Sequence, residues 1–232
     1  MLKKIFILTL VFAFSLTSIF AQESNTNSES ESNGNKPREE LSKNFIDALA
    51  SQDENLLVEA IESGSPRVKA LAFEALAKKG SSSEALVNAV NRYVTYGLNN
   101  TASQNSDSEV RYQALKAAKV AKSETSVSAI SQVLYAEQET FNIIAAVQAL
   151  GEIGSSKAVP ALLFQLRLGK TQGIVYEVAV ALGKIGDKLA LSDLIDLSQD
   201  DRYFVAVRQA AVDAIKNIKP SSSSSESSSS EQ

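Results

Sequence analysis

The sequence predicts an all-α protein, a right-handed α-solenoid of about five helical hairpins with an N-terminal capping helix. Three observations support this fold class. One apolar pattern with helical spacing occurs five times along the chain. A second apolar helical segment fits between successive copies, so each repeat holds a pair of helices. We find no stretch with the two-residue alternation of polar and apolar side chains that is typical of half-buried β-strands.

The recurring pattern is nine residues long. Its copies are residues 68–76, 110–118, 142–150, 174–182 and 207–215, and the intervals between their last residues are 42, 32, 32 and 33. When each copy is numbered from position 0 to position 8, apolar residues predominate at positions 0, 4, 7 and 8, which share one face of a helix. The longer first interval contains the polar segment 99–106, which we expect to be a loop insertion.

The ends of these helices are marked by glycine. Gly154 and Gly186 follow the third and fourth copies at the place where a helix C-cap favours a left-handed residue, and Gly80 has the same role after the first. Apolar segments at 158–166 and 189–197 then predict the other helix of the pair. Each repeat therefore holds two helices within about 32 residues, as in an α-solenoid.

Several short motifs resemble the HEAT repeat family, and specifically its PBS-lyase-like bacterial subtype. They are Asp-Ser-Glu-Val-Arg at 107–111, Ala-Leu-Gly-Glu-Ile-Gly at 149–154, Ala-Leu-Gly-Lys-Ile-Gly at 181–186 and Val-Arg at 207–208. The resemblance covers about residues 55–218. It departs from the family pattern at Asn142, where Val is usual, and Arg is missing after positions 142 and 174.

The composition argues against catalysis. The chain has no Cys, His or Trp, so it lacks thiolate nucleophiles and the commonest general base and metal ligand. Deoxyhypusine hydroxylases share the HEAT architecture but hold two irons with His-Glu pairs, which this chain cannot supply. Asp193, Asp196, Asp200 and Asp201 could form a hard-cation site or a solvated face, and we favour the solvated face. We therefore predict no enzyme activity, no catalytic residue, no cofactor and no metal.

The predicted domain organisation has four parts. Residues 1–21 combine Lys3 and Lys4 with an apolar run and read as a signal peptide cleaved between Ala21 and Gln22. An uncleaved membrane anchor is the alternative. Residues 22–40 are a Ser/Asn/Glu-rich linker and residues 220–232 a Ser-rich tail, both expected to be disordered. The solenoid occupies 41–219, with 37–51 as the capping helix at its start.

Charge and hydropathy limit where the protein is expected to act and which partners it is expected to bind. Residues 41–220 hold 19 basic and 20 acidic side chains, a balance that gives no electrostatic attraction to nucleic acid. No second apolar run is long enough for a transmembrane span in the mature chain. We expect an exported protein, periplasmic or secreted, with protein partners in the bacterial envelope.

The resemblance implies that the helices carrying the five copies line a concave surface. Arg and Tyr are typical of interface hot spots, and both occur just after position 0. We therefore predict a protein-binding ridge formed by Lys69, Arg111, Tyr112, Tyr176 and Arg208. In the alternative interpretation the Arg residues pair with acids of the neighbouring turn and Tyr176 belongs to the core.

The predicted function is a non-enzymatic interaction scaffold or adaptor that binds through this concave face. The alternative is an accessory subunit or a protein that handles a lipid or glycan ligand. The adaptor is favoured because aromatic residues are few: four of the nine Phe lie in the leader.

Overall fold

A computed structural model describes residue 47, residues 49–98 and residues 105–218. Within these residues the chain forms ten α-helices and no strand, which confirms the predicted all-α solenoid. The helices are α1 (Glu54–Ser63), α2 (Pro66–Lys79), α3 (Glu84–Tyr93), α4 (Asn105–Ala121), α5 (Val127–Ala136), α6 (Thr140–Ile153), α7 (Val159–Leu168), α8 (Gln172–Ile185), α9 (Leu191–Gln199) and α10 (Val205–Asn217). The signal peptide, linker, tail, loop tip and most of the capping helix lie outside the described residues, so the predicted domain boundaries stay predictions.

The helices form two layers. Each odd-numbered helix packs against the even-numbered helix that follows it, which gives five hairpins in the described part of the chain. The even-numbered helices, which carry the five copies of the pattern, also pack on one another in chain order from α2 to α10. The odd-numbered helices α1 to α7 make the corresponding contacts in the second layer. The hairpins are therefore stacked in sequence order, as expected for a solenoid.

The core lies between the two layers. The largest fully buried side chains include Phe73, Leu115 and Leu150 from the even-numbered helices and Leu86 and Ile130 from the odd-numbered ones. Every residue at positions 4 and 7 of the pattern is buried, and nine of these ten residues are Ala. Ala at nine of these ten positions lets consecutive even-numbered helices approach closely, because a single methyl group adds little bulk between their backbones.

Two glycines show how close this approach becomes. A Cβ atom built on Gly151 would lie 2.9 Å from the Cβ of Ala181, and one built on Gly183 would lie 2.8 Å from the Cα of Ala214. Gly151 and Gly183 occupy the same place in α6 and α8, one residue past the pattern. The contacts from α6 to α8 and from α8 to α10 therefore depend on the missing side chain.

The predicted C-cap glycines are confirmed. Gly80, Gly154 and Gly186 end α2, α6 and α8 with φ values of 74°, 75° and 73°. In the second repeat the equivalent residue is Lys122, with φ of 50°. None of the helices in the described ranges combines the length and apolarity needed to cross a bilayer.

Candidate protein-binding surface

Lys69 lies inside the stack rather than on its surface. Its side chain follows position 0 of α2 and is buried. The Nζ atom donates to the carbonyl oxygens of Ile61 and Glu62, the latter at 3.0 Å, and to the hydroxyl of Tyr93 at 3.1 Å. A cation suits this place, since carbonyl groups at the C-terminal end of α1 lack helical partners and carry partial negative charge. Lys69 thus caps the preceding helix.

Arg111 has the same role in the second repeat and adds an ion pair. Its Nη1 atom donates to the carbonyl oxygen of Tyr96 at 2.8 Å, and its Nε atom donates to Glu137 Oε2 at 2.7 Å. The side chains of Arg111 and Glu137 are 4% and 3% exposed. The expectation that Lys69 and Arg111 project onto a surface is therefore not met, because both satisfy buried carbonyl groups. For Arg111, which pairs with Glu137, the alternative interpretation describes the geometry.

Glu137 is the centre of a buried polar cluster. Besides Arg111 it accepts hydrogen bonds from the backbone N–H groups of Gln138 at 2.9 Å and Glu139 at 3.1 Å. Burial alone would raise the pKa of the Glu137 carboxyl, but the hydrogen bonds from Arg111 and the two N–H groups lower the pKa overall. Glu137 is therefore a carboxylate at neutral pH.

The departure from the family pattern at Asn142 belongs to this cluster. Asn142 is fully buried at position 0 of α6. Its Nδ2 atom donates to Ser108 Oγ at 3.0 Å and to Glu137 Oε2 at 3.0 Å. The amide supplies a donor to the buried carboxylate of Glu137, which a Val could not do, and its contact with Ser108 joins α6 to α4.

Arg208, the third basic residue of the predicted ridge, is only half-buried at the end of the stack. Its Nε atom is buried and has no hydrogen-bond partner among the described residues. The pKa of Asp200 is lowered mainly by hydrogen bonds from Arg202, and the charge of Arg208 adds to this effect. Arg208 thus lies near the end of α9, the place that Lys69 and Arg111 hold in their own repeats.

Tyr112 and Tyr176 lie on the side of the even-numbered helices that faces away from the core. We call this side the even-helix face. Both tyrosines occupy position 2 of their copies, and Tyr176 is 40% exposed. The Tyr112 ring meets the ring of Phe141 edge to face, with centroids 5.5 Å apart. Phe141, at the start of α6, is 43% exposed.

These residues belong to a larger apolar group. Ile144, half-buried, occupies position 2 of α6 between Tyr112 on α4 and Tyr176 on α8. Adjacent packed helices lie about 8–10 Å apart, so equivalent positions form a line across the layer. We call Tyr112, Phe141, Ile144 and Tyr176 the apolar row.

Sequence reasoning missed Phe141 and Ile144. The low aromatic content favours an adaptor over a ligand-handling protein but does not show where the few aromatic residues lie. Phe141, Phe164 and Phe204 are all exposed, and only Phe73 is buried among the described Phe residues. The position of Ile144 within the repeated pattern could have indicated that it is partly exposed. Ile144 at position 2 lies off the buried face of positions 0, 4, 7 and 8, so its exposure could have been predicted from the pattern.

A second aromatic pair lies on the opposite layer. The rings of Tyr135 on α5 and Phe164 on α7 have centroids 5.0 Å apart, and the residues are 53% and 40% exposed. We call this side the odd-helix face. The pair has the same composition as the Tyr112–Phe141 pair, and Phe164 is about as exposed as Phe141. Phe164 therefore provides a matched control for experiments on Phe141.

Lysines border the apolar row toward the C-terminal ends of the even-numbered helices. Lys116 Nζ lies 5.4 Å from the centroid of the Tyr112 ring, and Lys119 Nζ donates to Gln148 Oε1 at 2.9 Å. Glu152 accepts hydrogen bonds from Lys122 at 2.6 Å and Lys184 at 2.7 Å. These two lysines lower the pKa of Glu152 to about 2.

Two of the four acidic residues around α9, Asp193 and Asp200, form ion pairs. Arg167 binds both carboxylate oxygens of Asp193, at 2.7 and 3.0 Å, and Arg202 binds Asp200. In the described ranges no group of three or more acidic side chains could hold a metal ion.

Comparison with known proteins finds a family match for the second half of the described solenoid. Residues 144–216, from α6 to α10, match a family model described as HEAT repeats. The match supports a HEAT repeat protein, as the motifs predicted. No curated protein matches the chain.

Two solved structures resemble the fold at low sequence identity. An engineered protein superposes with a TM-score of 0.53 and 19% identity, over 81% of this chain and 95% of the other. Human deoxyhypusine hydroxylase in complex with glycerol superposes with a TM-score of 0.47 and 19% identity, over 75% of this chain and 78% of the other. The likeness to the engineered protein supports the fold alone.

Proposed function

We propose that the protein is a non-enzymatic scaffold that binds another protein through the even-helix face, with the apolar row as its centre. The carrying observation is the exposure of Phe141 and Tyr176, which are 43% and 40% accessible although neighbouring core positions are fully buried. Grouped exposed aromatic side chains are typical of interaction sites, where Tyr and Trp are common hot-spot residues. HEAT repeats in general mediate protein interactions, which is consistent with this role.

The packing of the layers supports this choice of face. Glycine and alanine draw α6, α8 and α10 together at Gly151 and Gly183. The even-numbered helices pack on one another more closely than the odd-numbered helices do. A layer with closer helices is the shorter one, so we infer that the stack bends toward the even-numbered helices. We therefore place the even-helix face on the concave side, where a partner segment contacts several helices at once.

The proposed binding surface keeps only some of the residues of the predicted ridge. Tyr112 and Tyr176 are retained as binding residues, and Phe141 and Ile144 join them. Arg208 stays a candidate at the edge of the surface. Lys69 and Arg111 act on the partner only indirectly, since both are buried beside carbonyl groups and hold the helices in place.

We further propose that the protein acts in a bacterial envelope and belongs to the PBS-lyase-like subtype. Lys3, Lys4 and the apolar residues that follow support export, with cleavage between Ala21 and Gln22. The amino-terminal sequence of protein purified from the native host tests this step. A mature chain that begins at Gln22 supports export, and a chain in the cytoplasmic fraction that retains its leader contradicts it.

Site-specific photocrosslinking in cells tests the binding face. A benzophenone-bearing amino acid replaces Phe141 in one strain and Phe164 in another, because these aromatic residues have similar exposure on opposite faces. We expect one dominant protein adduct from position 141 and none of it from position 164. The same adduct from both positions, or no adduct from position 141, would overturn the proposed face.

A further inference from the structure

We infer that the partner segment is acidic and amphipathic, with an apolar anchor beside Tyr112 and carboxylates beside Lys116 and Lys119. This inference rests on the proposed function and names the chemistry of the partner. It follows from how apolar and basic side chains are ordered along α4, the helix that carries Tyr112 and both lysines.

The lysines follow the apolar row along one helix face. Tyr112, Lys116 and Lys119 are separated by four and three residues, and residues at these spacings are neighbours on a helix surface. With a rise of about 1.5 Å per residue, the two lysines lie about 6 and 10 Å beyond the tyrosine along the helix axis. A partner anchored at the tyrosine therefore meets both ammonium groups within two helical turns.

The two lysines are available to a partner. Within the described part of the chain neither Lys116 nor Lys119 forms an ion pair. Lys116 lies against the Tyr112 ring, and Lys119 binds the neutral amide oxygen of Gln148. The nearby carboxylate of Glu152 is instead engaged by Lys122 and Lys184. Two positive charges therefore remain next to the apolar row without a compensating carboxylate.

Acidic side chains of this face lie elsewhere around the row. Glu109 precedes the pattern on α4 and accepts a hydrogen bond from Gln113 at 2.8 Å, and Glu177 follows Tyr176 on α8. On α2, Glu74 holds the position that Lys116 holds on α4, whereas α6 carries the neutral Gln148 there. The uncompensated positive charge therefore lies on the side of α4 that faces α6. Complementary charge gives both orientation and specificity, so this arrangement selects a segment with an apolar end and an acidic end.

A pair of synthetic peptides tests the inference. Both are amphipathic helices with the same leucine face, and their polar positions carry Glu in one peptide and Lys in the other. We expect the full-length protein to bind the Glu peptide at least about tenfold more tightly, as measured by fluorescence anisotropy. The preference should shrink as salt is raised, because exposed charges are screened.

Charge-reversal variants distinguish binding at Lys116 and Lys119 from nonspecific electrostatic attraction between the protein and the peptide. The double variant Lys116→Glu/Lys119→Glu should lose the preference for the Glu peptide. The matched control, Lys157→Glu/Lys188→Glu, changes the net charge equally in the turns before α7 and α9 and should keep the preference. Circular dichroism checks that both variants retain their helices.

Three results would overturn the inference. They are equal affinity for the two peptides, binding of neither, and loss of the preference in the control variant as well. Each result leaves the proposed function to the crosslinking experiment, since a specific adduct from position 141 does not depend on the charge of the partner. Failure of the inference and failure of the proposed function are therefore separate outcomes.

Discussion

Glu137 is the residue on which the contact between the second and third repeats depends. It accepts hydrogen bonds from Arg111, Asn142 and two backbone N–H groups while its side chain is only 3% exposed. Removing one partner of a buried ion pair leaves the other charge without compensation, which destabilises a protein by about 3–5 kcal/mol. The Glu137→Gln variant should therefore lose about 3 kcal/mol of unfolding free energy in urea titrations. Glu139→Gln, an exposed neighbour, should stay within about 0.5 kcal/mol of the parent.

The lowered pKa values of Glu137 and Glu152 predict how the stability of the protein changes in acid. The pKa of Glu137 is below its usual 4.5 in the folded protein, and that of Glu152 is about 2. A lowered pKa contributes stability that is complete above the unfolded value and is lost as the pH falls through the folded value. The melting temperature should thus be nearly constant from neutral pH to about pH 5 and fall between about pH 4.5 and 2.

Circular dichroism melts at a series of pH values measure this profile. The Glu152→Gln variant should show a shallower fall at the acid end, because it has no carboxylate to protonate there. An identical fall in both proteins would show that Glu152 does not contribute to acid stability.

At the scale of the helix, two contacts between helices depend on glycines that lack a side chain. Gly151 and Gly183 lie inside α6 and α8, where alanine has the higher helix propensity. Packing reverses this preference, since a Cβ atom would lie 2.9 Å from Ala181 in one case and 2.8 Å from Ala214 in the other. Gly151→Ala and Gly183→Ala should each destabilise the protein by about 1–3 kcal/mol, the range for overpacked sites.

Gly173 provides the matched control within α8. It lies in the same helix as Gly183, but a Cβ atom built on it meets nothing within 4 Å. Gly173→Ala should therefore stabilise the protein by about 0.4–1 kcal/mol, because only the backbone entropy changes. Urea titrations of the three variants measure both effects. A stabilising Gly183→Ala would mean that α8 and α10 are farther apart than described.

The helices themselves could be predicted from the sequence, and the close contacts could not. Five copies of one pattern identified the even-numbered helices, and Gly154 and Gly186 identified two of their ends. The role of Gly151 needs the identity of its neighbour, Ala181, which lies 30 residues away in the next repeat. Periodicity assigns a residue to a face of its own helix but does not show which side chain lies opposite.

For the same reason, periodicity alone could not show which residues of the predicted ridge lie on the surface of the molecule. Arg and Tyr at equivalent positions suggested one ridge, yet they separate by burial. Arg111 turns inward because Tyr96, after α3, and Glu137, after α5, offer acceptors. Tyr112 turns outward beside Phe141. The sequence shows that Arg111 and Tyr112 are adjacent. The packing of the surrounding helices determines which of the two side chains points into the core and which points to the surface.

Partner binding should depend on the exposed aromatic residues of the even-helix face and not on those of the odd-helix face. Phe141→Ala removes an exposed ring beside Tyr112, and Phe164→Ala removes one beside Tyr135. Both rings are more than a third exposed, so both variants should unfold within about 1 kcal/mol of the parent. With the protein captured through position 141 as the ligand, Phe141→Ala should raise the dissociation constant by at least about thirtyfold, a hot-spot loss of about 2 kcal/mol.

Phe164→Ala should leave the dissociation constant unchanged within about twofold, as expected for a residue outside the interface. Isothermal titration calorimetry measures both variants under the same conditions. Equal losses from the two substitutions would place the partner across both layers. Loss from Phe164→Ala alone would move the binding surface to the odd-helix face and assign the Tyr112–Phe141 pair to the packing of α4 against α6.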